Sequence, residues 1–156
     1  MAAVQRTAQV EWTGTIARGA GRASGGSGAL ANLPITAASR FGEPEGKTSP
    51  EELIAAAHAG CFTMALGSIL AARRTPPEHL RVTATVTLDT SETPTITSSQ
   101  LEVRGVVPGG DAAAFDQAAQ EAERRCPVSR ALQGNVEIAV HATLEDPSVS
   151  SGIGAR

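Results

Sequence analysis

Tyrosine is absent from this chain of 156 residues, lysine occurs once, at Lys47, and the aromatic side chains are Trp12, Phe41, Phe62 and Phe115. A core with so few rings must be built from Ala, Val, Ile and Leu, whose small members let helices approach closely. Nearly all the positive charge sits on scattered arginines and the formal net charge is -3. No basic run exists to attract nucleic acid or an anionic membrane, so neither is expected as a partner. The start, from Met1 to Gln9, lacks the apolar stretch of a secretory signal, and a cytoplasmic protein is expected. Cys61 and Cys126 are the only cysteines, too few for a disulfide scaffold. In a reducing compartment they are inert thiols or a redox pair. The histidines, His58, His79 and His141, are scattered and give no metal-ligand spacing, so neither metal nor cofactor is expected.

What is present reads as one domain over residues 1–146 with a loose Ser/Gly-rich tail over 147–156. Gln9 to Ile16 alternates as a strand, a Gly/Ser-rich turn runs from Gly19 to Gly28, and Ala29 to Ile35 pairs back across it. Residues 37–49 read as irregular. Ser49-Pro50-Glu51-Glu52 then supplies an N-cap, a proline at the first helical position and a glutamate at the third. The helix it starts should end near Arg73 or Arg74, before Pro76-Pro77. Leu80 to Leu88 alternates strictly, and Thr95 to Val107 is its antiparallel neighbour. Gly109-Gly110-Asp111 caps a helix over about 112–125 whose apolar stripe is Phe115, Ala118, Ala119 and Ala122, extended by Cys126. A short helical turn follows Pro127, and Val136 to Leu144 is the last strand.

Leu53 to Ala72 carries no fixed charge, and only His58, Thr63 and Ser68 bring side-chain polarity. A helix apolar all round must be buried all round, in protein or in lipid. Its length just reaches that of a bilayer span. Against lipid stand its Ala/Gly composition, the lack of an aromatic belt, and Glu51 and Glu52 in place of a basic flank. The preferred reading is a central helix wrapped by sheet, with a partner subunit supplying one wall.

Cys61 lies in the middle of that helix, where a thiol is most often a small buried hydrophobe. Beside this stands a redox reading. Cys126 precedes Pro127, which biases its backbone out of the helix, and Arg124, Arg125 and Arg130 are close in sequence. Arg40, Glu51 and Glu52 cluster upstream of Cys61. His58, three residues before it, is either a general base or a hydrogen-bonded packing residue.

Ser39-Arg40-Phe41, then Ser49-Pro50-Glu51-Glu52-Leu53 through Ala57-His58-Ala59-Gly60-Cys61-Phe62, resembles the signature of the OsmC/Ohr family. Arg125-Cys126-Pro127-Val128-Ser129-Arg130 resembles its second cysteine motif, and Trp12-Thr13-Gly14 also fits. The resemblance implies an α+β fold, with antiparallel sheets wrapped around central helices in an intertwined homodimer. It implies a thiol peroxidase that reduces organic hydroperoxides, with Cys61 peroxidatic, Cys126 resolving, and an external thiol or dithiol as reductant. Arg40 and Glu51 match the activating arginine and its carboxylate partner. The Arg-Phe placement and His58 look like the OsmC branch, since in the Ohr branch the arginine comes earlier; Arg18 is the nearest residue to that position. Ser49 stands where Asn is common, and both are good N-caps.

The implied chemistry needs a Cys61 thiolate despite apolar walls that raise its pKa, and an arginine cation opposes them. Glu51 and Cys61, ten residues apart on a regular helix, are separated by about 15 Å and about 80° around the axis. Either Arg40 bridges them or the helix breaks near Gly60. The alternative function is a non-catalytic OsmC-like binder of a small apolar ligand.

Overall fold

The computed structural model describes residues 3–147, so the tail expected over 147–156 lies, beyond Pro147, outside the described residues. The chain divides into two compact units with the boundary after Leu53.

The N-terminal unit holds a three-stranded antiparallel sheet in chain order: β1 (Ala8–Thr13), β2 (Ala20–Gly25) and β3 (Leu33–Ile35). β2 occupies what the sequence presents as a turn. Its glycines act as strand residues because Trp12, paired with Gly21, lies across it: a Cβ on Gly21 would meet the Trp12 ring at 2.7 Å. β1 stops at Thr13, three residues short of the expected end, where Gly14 turns the chain at φ +90°. The segment expected to be irregular contains a short helix, α1 (Ala37–Phe41). Thr36 and Ser39 form its capping box, each side chain bonding the other's backbone N–H. An S/T-x-x-S pattern falls outside the usual Glu/Gln form, which is why the sequence hides it.

α2 (Pro50–Ala72) starts as Ser49 dictates: its hydroxyl accepts from Glu52 N–H at 3.1 Å. The helix runs unbroken past Gly60, so the break considered above does not occur. The C-terminal unit contains most of α2, then β4 (His79–Asp89), β5 (Thr95–Val106), α3 (Ala112–Arg125), α4 (Pro127–Leu132) and β6 (Glu137–Leu144). β4 and β5 form the expected antiparallel hairpin, but β6 joins β5 in parallel, Ser98 opposite Glu137 and Gly105 opposite Leu144. The α3–α4 crossover makes this possible by carrying the chain back to the start of β5.

The core joins one face of α2 (Phe62, Leu66, Ile69, Leu70) to the inward residues of β5 (Leu101, Val103) and the α3 stripe. That stripe is Phe115, Ala118, Ala119 and Ala122, as its spacing requires. Gly105 admits the Phe115 ring; a Cβ there would meet Phe115 Cζ at 2.5 Å. Each large apolar side chain buried here contributes roughly 1.5–3 kcal/mol. The opposite face of α2, with Ala56, Ala57, Gly60, Met64 and Ser68, is exposed among the described residues, and Met64 is 69% exposed. Only 28% of the most apolar window of α2 is buried among the described residues, which do not enclose it.

Candidate active site

Cys126 ends α3 and starts α4. Its backbone leaves the helix at φ -66°, ψ 118°, the extended conformation that a following proline favours. Pro127 has no N–H to satisfy, so the first free donors of α4 belong to Val128 and Ser129. Ser129 N–H reaches the Cys126 sulfur at 3.5 Å, and the Val128 backbone N–H lies near enough to Cys61 to oppose the rise of its pKa. The two thiols are neighbours, and Cys126 pushes the Cys61 pKa upward. One helical turn thus gathers both cysteines, Cys126 fully buried and Cys61 half-buried.

Burial pushes the Cys61 thiol above its ordinary value, the Val128 N–H works against this, and the Cys126 thiol adds to the rise. Within the C-terminal unit the net direction is upward, opposite to the lowering that peroxide chemistry asks of this residue. Beside Cys61 lies an open groove of about 330 Å³, lined by Cys61, Met64, Ala65, Ser68, Arg125 and Pro127. Arg125 is held there by Glu121, one helical turn earlier, at 3.1 Å, and Glu121 also takes Arg73 at 2.8 Å. Both guanidiniums lower the Glu121 carboxyl pKa. Arg124 and Arg130 face solvent.

His58 is fully buried. Its Nδ1 lies 2.7 Å from Ser99 Oγ and its Nε2 lies 2.8 Å from Ser129 Oγ. Burial lowers its pKa, which favours the neutral ring, with one nitrogen donating and the other accepting. Of the two roles open to His58, the hydrogen-bonded packing residue is the one seen. Ser99, Val128 and Ser129 were not singled out from sequence. The alternation of β5 did carry a sign: Ser99 falls on the same face as Leu101 and Val103, a polar residue at an inward position.

In the N-terminal unit Arg40 and Glu51 meet as a fork. Arg40 Nη2 donates to Glu51 Oε1 at 2.7 Å, and Nε reaches the two oxygens at 3.1 and 3.3 Å. The Glu51 side chain is only 10% exposed, and the Arg40 guanidinium carbon lies 5.4 Å from the centre of the Phe41 ring. Glu52 instead accepts from Thr48 Oγ1 at 2.6 Å. Arg18 is exposed in the β1–β2 connection.

Two small sheets, four helices and two neighbouring free thiols define an α+β protein. The family model described as OsmC-like protein matches residues 42–141. The chain is similar to "Peroxiredoxin OsmC" of Escherichia coli, 40% identical over 136 residues, covering 86% of this chain and 94% of that one. It also resembles the "Organic hydroperoxide resistance protein-like" protein of Staphylococcus aureus, 34% identical over 109 residues, covering 67% and 76%. Among solved structures, the organic hydroperoxide resistance protein OhrB of Bacillus subtilis superposes with a TM-score of 0.69. It shares 25% identity over 88% of this chain and 98% of that one. The chain belongs to the OsmC family.

Proposed function

We propose that this protein is a cysteine-based reductase of organic hydroperoxides, with hydrogen peroxide as a further substrate. Relatives named as a peroxiredoxin and as organic hydroperoxide resistance proteins support a peroxidase-type role. The observation that carries the finer reading is the neighbouring placement of the two free thiols, close enough that Cys126 pushes the Cys61 pKa upward.

The Cys61 thiolate attacks the outer peroxide oxygen. The O–O bond breaks, the sulfur becomes a sulfenic acid, and the alkoxide leaves as the alcohol after taking a proton. Cys126, as thiolate, attacks the Cys61 sulfur; the S–O bond breaks, hydroxide leaves as water, and the disulfide forms. Two thiol equivalents from an external thiol or dithiol then reduce it and become a disulfide themselves. Arg40, held by Glu51, is assigned the charge that offsets the burial of Cys61 and receives the peroxide oxygens.

The open face of α2 supports a homodimer, in which a second copy covers Ala56, Gly60 and Met64. His58 supports packing in protein rather than lipid, because both its ring nitrogens are bonded inside the chain. We read residues 1–146 as one domain, acting in the cytoplasm, with neither nucleic acid nor membrane as partner.

Intact-mass measurement before and after one equivalent of an organic hydroperoxide tests the reading. Loss of two hydrogens that maps to Cys61–Cys126 supports it; unchanged mass refutes it. The upward push on the Cys61 thiol and the groove beside it favour a second reading, a non-catalytic binder of a small apolar ligand. A binder shows no Cys61-dependent consumption of peroxide.

A further inference from the structure

The mechanism above leaves His58 without a part, although it is fully buried and bonded at both nitrogens. It stands one turn before Cys61 on α2, and Ser129 stands three residues after Cys126 on α4. The His58 Nε2 bond to Ser129, 2.8 Å long, therefore ties the two cysteine-bearing elements together beside their sulfurs. The Nδ1 bond to Ser99 on β5 fixes the ring plane, since rotating the ring would leave buried polar atoms unpaired. The backbone N–H of the same Ser129 meets the Cys126 sulfur at 3.5 Å, so the residue tied to His58 also touches that sulfur.

We propose that His58 is a positioning residue for the resolving step: through Ser129 it holds the first turn of α4 against α2, so that the Cys126 sulfur stays aimed at Cys61. The proposal rests on the peroxidase reading and extends it. In the resolving step Cys126 must approach the Cys61 sulfur from the side opposite the departing oxygen, an in-line displacement with a narrow angular tolerance. The S–S bond forms as the S–O bond breaks, and one proton joins the hydroxide to give water. Ser129 is the link through which the ring acts, and Ser99 orients the ring.

Two amides of the same polarity separate this role from burial alone. Glutamine places its amide where Nε2 lies and can keep Ser129, whereas asparagine places its amide where Nδ1 lies and keeps only Ser99. After rapid mixing with one equivalent of an organic hydroperoxide, disulfide closure is followed by quenched intact mass. His58→Asn should slow closure by about tenfold or more, while His58→Gln stays within about threefold of the parent, because small misplacements of reacting atoms carry costs of this size. Slow closure in Ser129→Ala and recovery in Ser129→Thr should follow the same pattern, and they replace the histidine variants if those do not fold. Equal closure in the Asn and Gln variants, or parent-like closure in Ser129→Ala, overturns the proposal. If the parent protein consumes no hydroperoxide, the peroxidase reading falls by itself. The positioning role is then judged by diamide-driven formation of the Cys61–Cys126 disulfide, where the Asn–Gln contrast must appear or the proposal fails too.

Discussion

The Cys126 sulfur caps the helix that follows it, accepting the Ser129 backbone N–H at 3.5 Å where a serine or aspartate oxygen would ordinarily serve. The cap fixes the position of the Cys126 sulfur at the first turn of α4.

Hydroperoxide should therefore give an in-chain Cys61–Cys126 disulfide and no covalent dimer, read by intact mass and non-reducing electrophoresis. Cys61→Ser should abolish peroxide reduction. Cys126→Ser should consume about one equivalent and then stall or over-oxidise, because the sulfenic acid forms but is not resolved. Inertness of the Cys126 variant alone would exchange the two roles.

Arg40→Met keeps bulk and deletes the cation. Activity near neutral pH should fall by at least about a hundredfold, the scale expected when preorganised charge is removed. Higher pH should restore part of it as thiolate reappears, and iodoacetamide alkylation across pH should show a higher Cys61 pKa. Arg40→Lys should rescue poorly, since an ammonium cannot reproduce the fork on Glu51. An unchanged alkylation profile and turnover would move the activating role elsewhere, to Arg18 first.

Sedimentation at micromolar concentration should give twice the monomer mass. Met64→Arg, which places a charge on the open face of α2, should shift the protein toward monomer. A stable, active monomer would remove the reason for that face.

Stability should depend on pH through His58. Burial depresses its folded pKa below the ordinary 6.5, so below that pH the unfolded chain binds the proton more readily. The contribution is present above about 6.5 and is lost as pH falls toward the folded pKa. Urea midpoints measured between mildly acidic and neutral pH should rise with pH, and more steeply than those of His58→Gln. Parallel curves would mean that the imidazole does not titrate on unfolding.

Gly105→Ala should destabilise the fold by about 1–3 kcal/mol, the usual cost of overpacking, because the new methyl meets the Phe115 ring. Phe115→Leu in the same chain should recover part of the loss in thermal melts.

The elements with strong local grammar were legible in the sequence. Ser49-Pro50-Glu51-Glu52 marked the start of α2, Asp111 capped α3, and the alternation of β4 gave its wet face. β2 was hidden because its strand character depends on Trp12 from another strand, a non-local fact that a run of Gly, Ala and Ser does not disclose. The parallel course of β6 was hidden for a similar reason, since an alternating strand carries no record of its neighbour's direction. The candidate site residues came from motif, and the structure joins them as two pairs, Arg40 with Glu51 and Cys61 with Cys126. Ser129 escaped because its bond to His58 arises only when α4 folds against α2.

That parallel pairing also orders the folding process. The β4–β5 hairpin closes over a short turn, while β6 gains its partner only after the whole α3–α4 crossover has been laid down. Contacts of such sequence separation carry the larger loop-closure entropy and form late. The turn bearing Cys126 lies within that late-closing segment, so on a nascent chain Cys61 waits without its partner sulfur. Premature oxidation would then find one thiol at a time, and the two thiols become neighbours only with the finished topology.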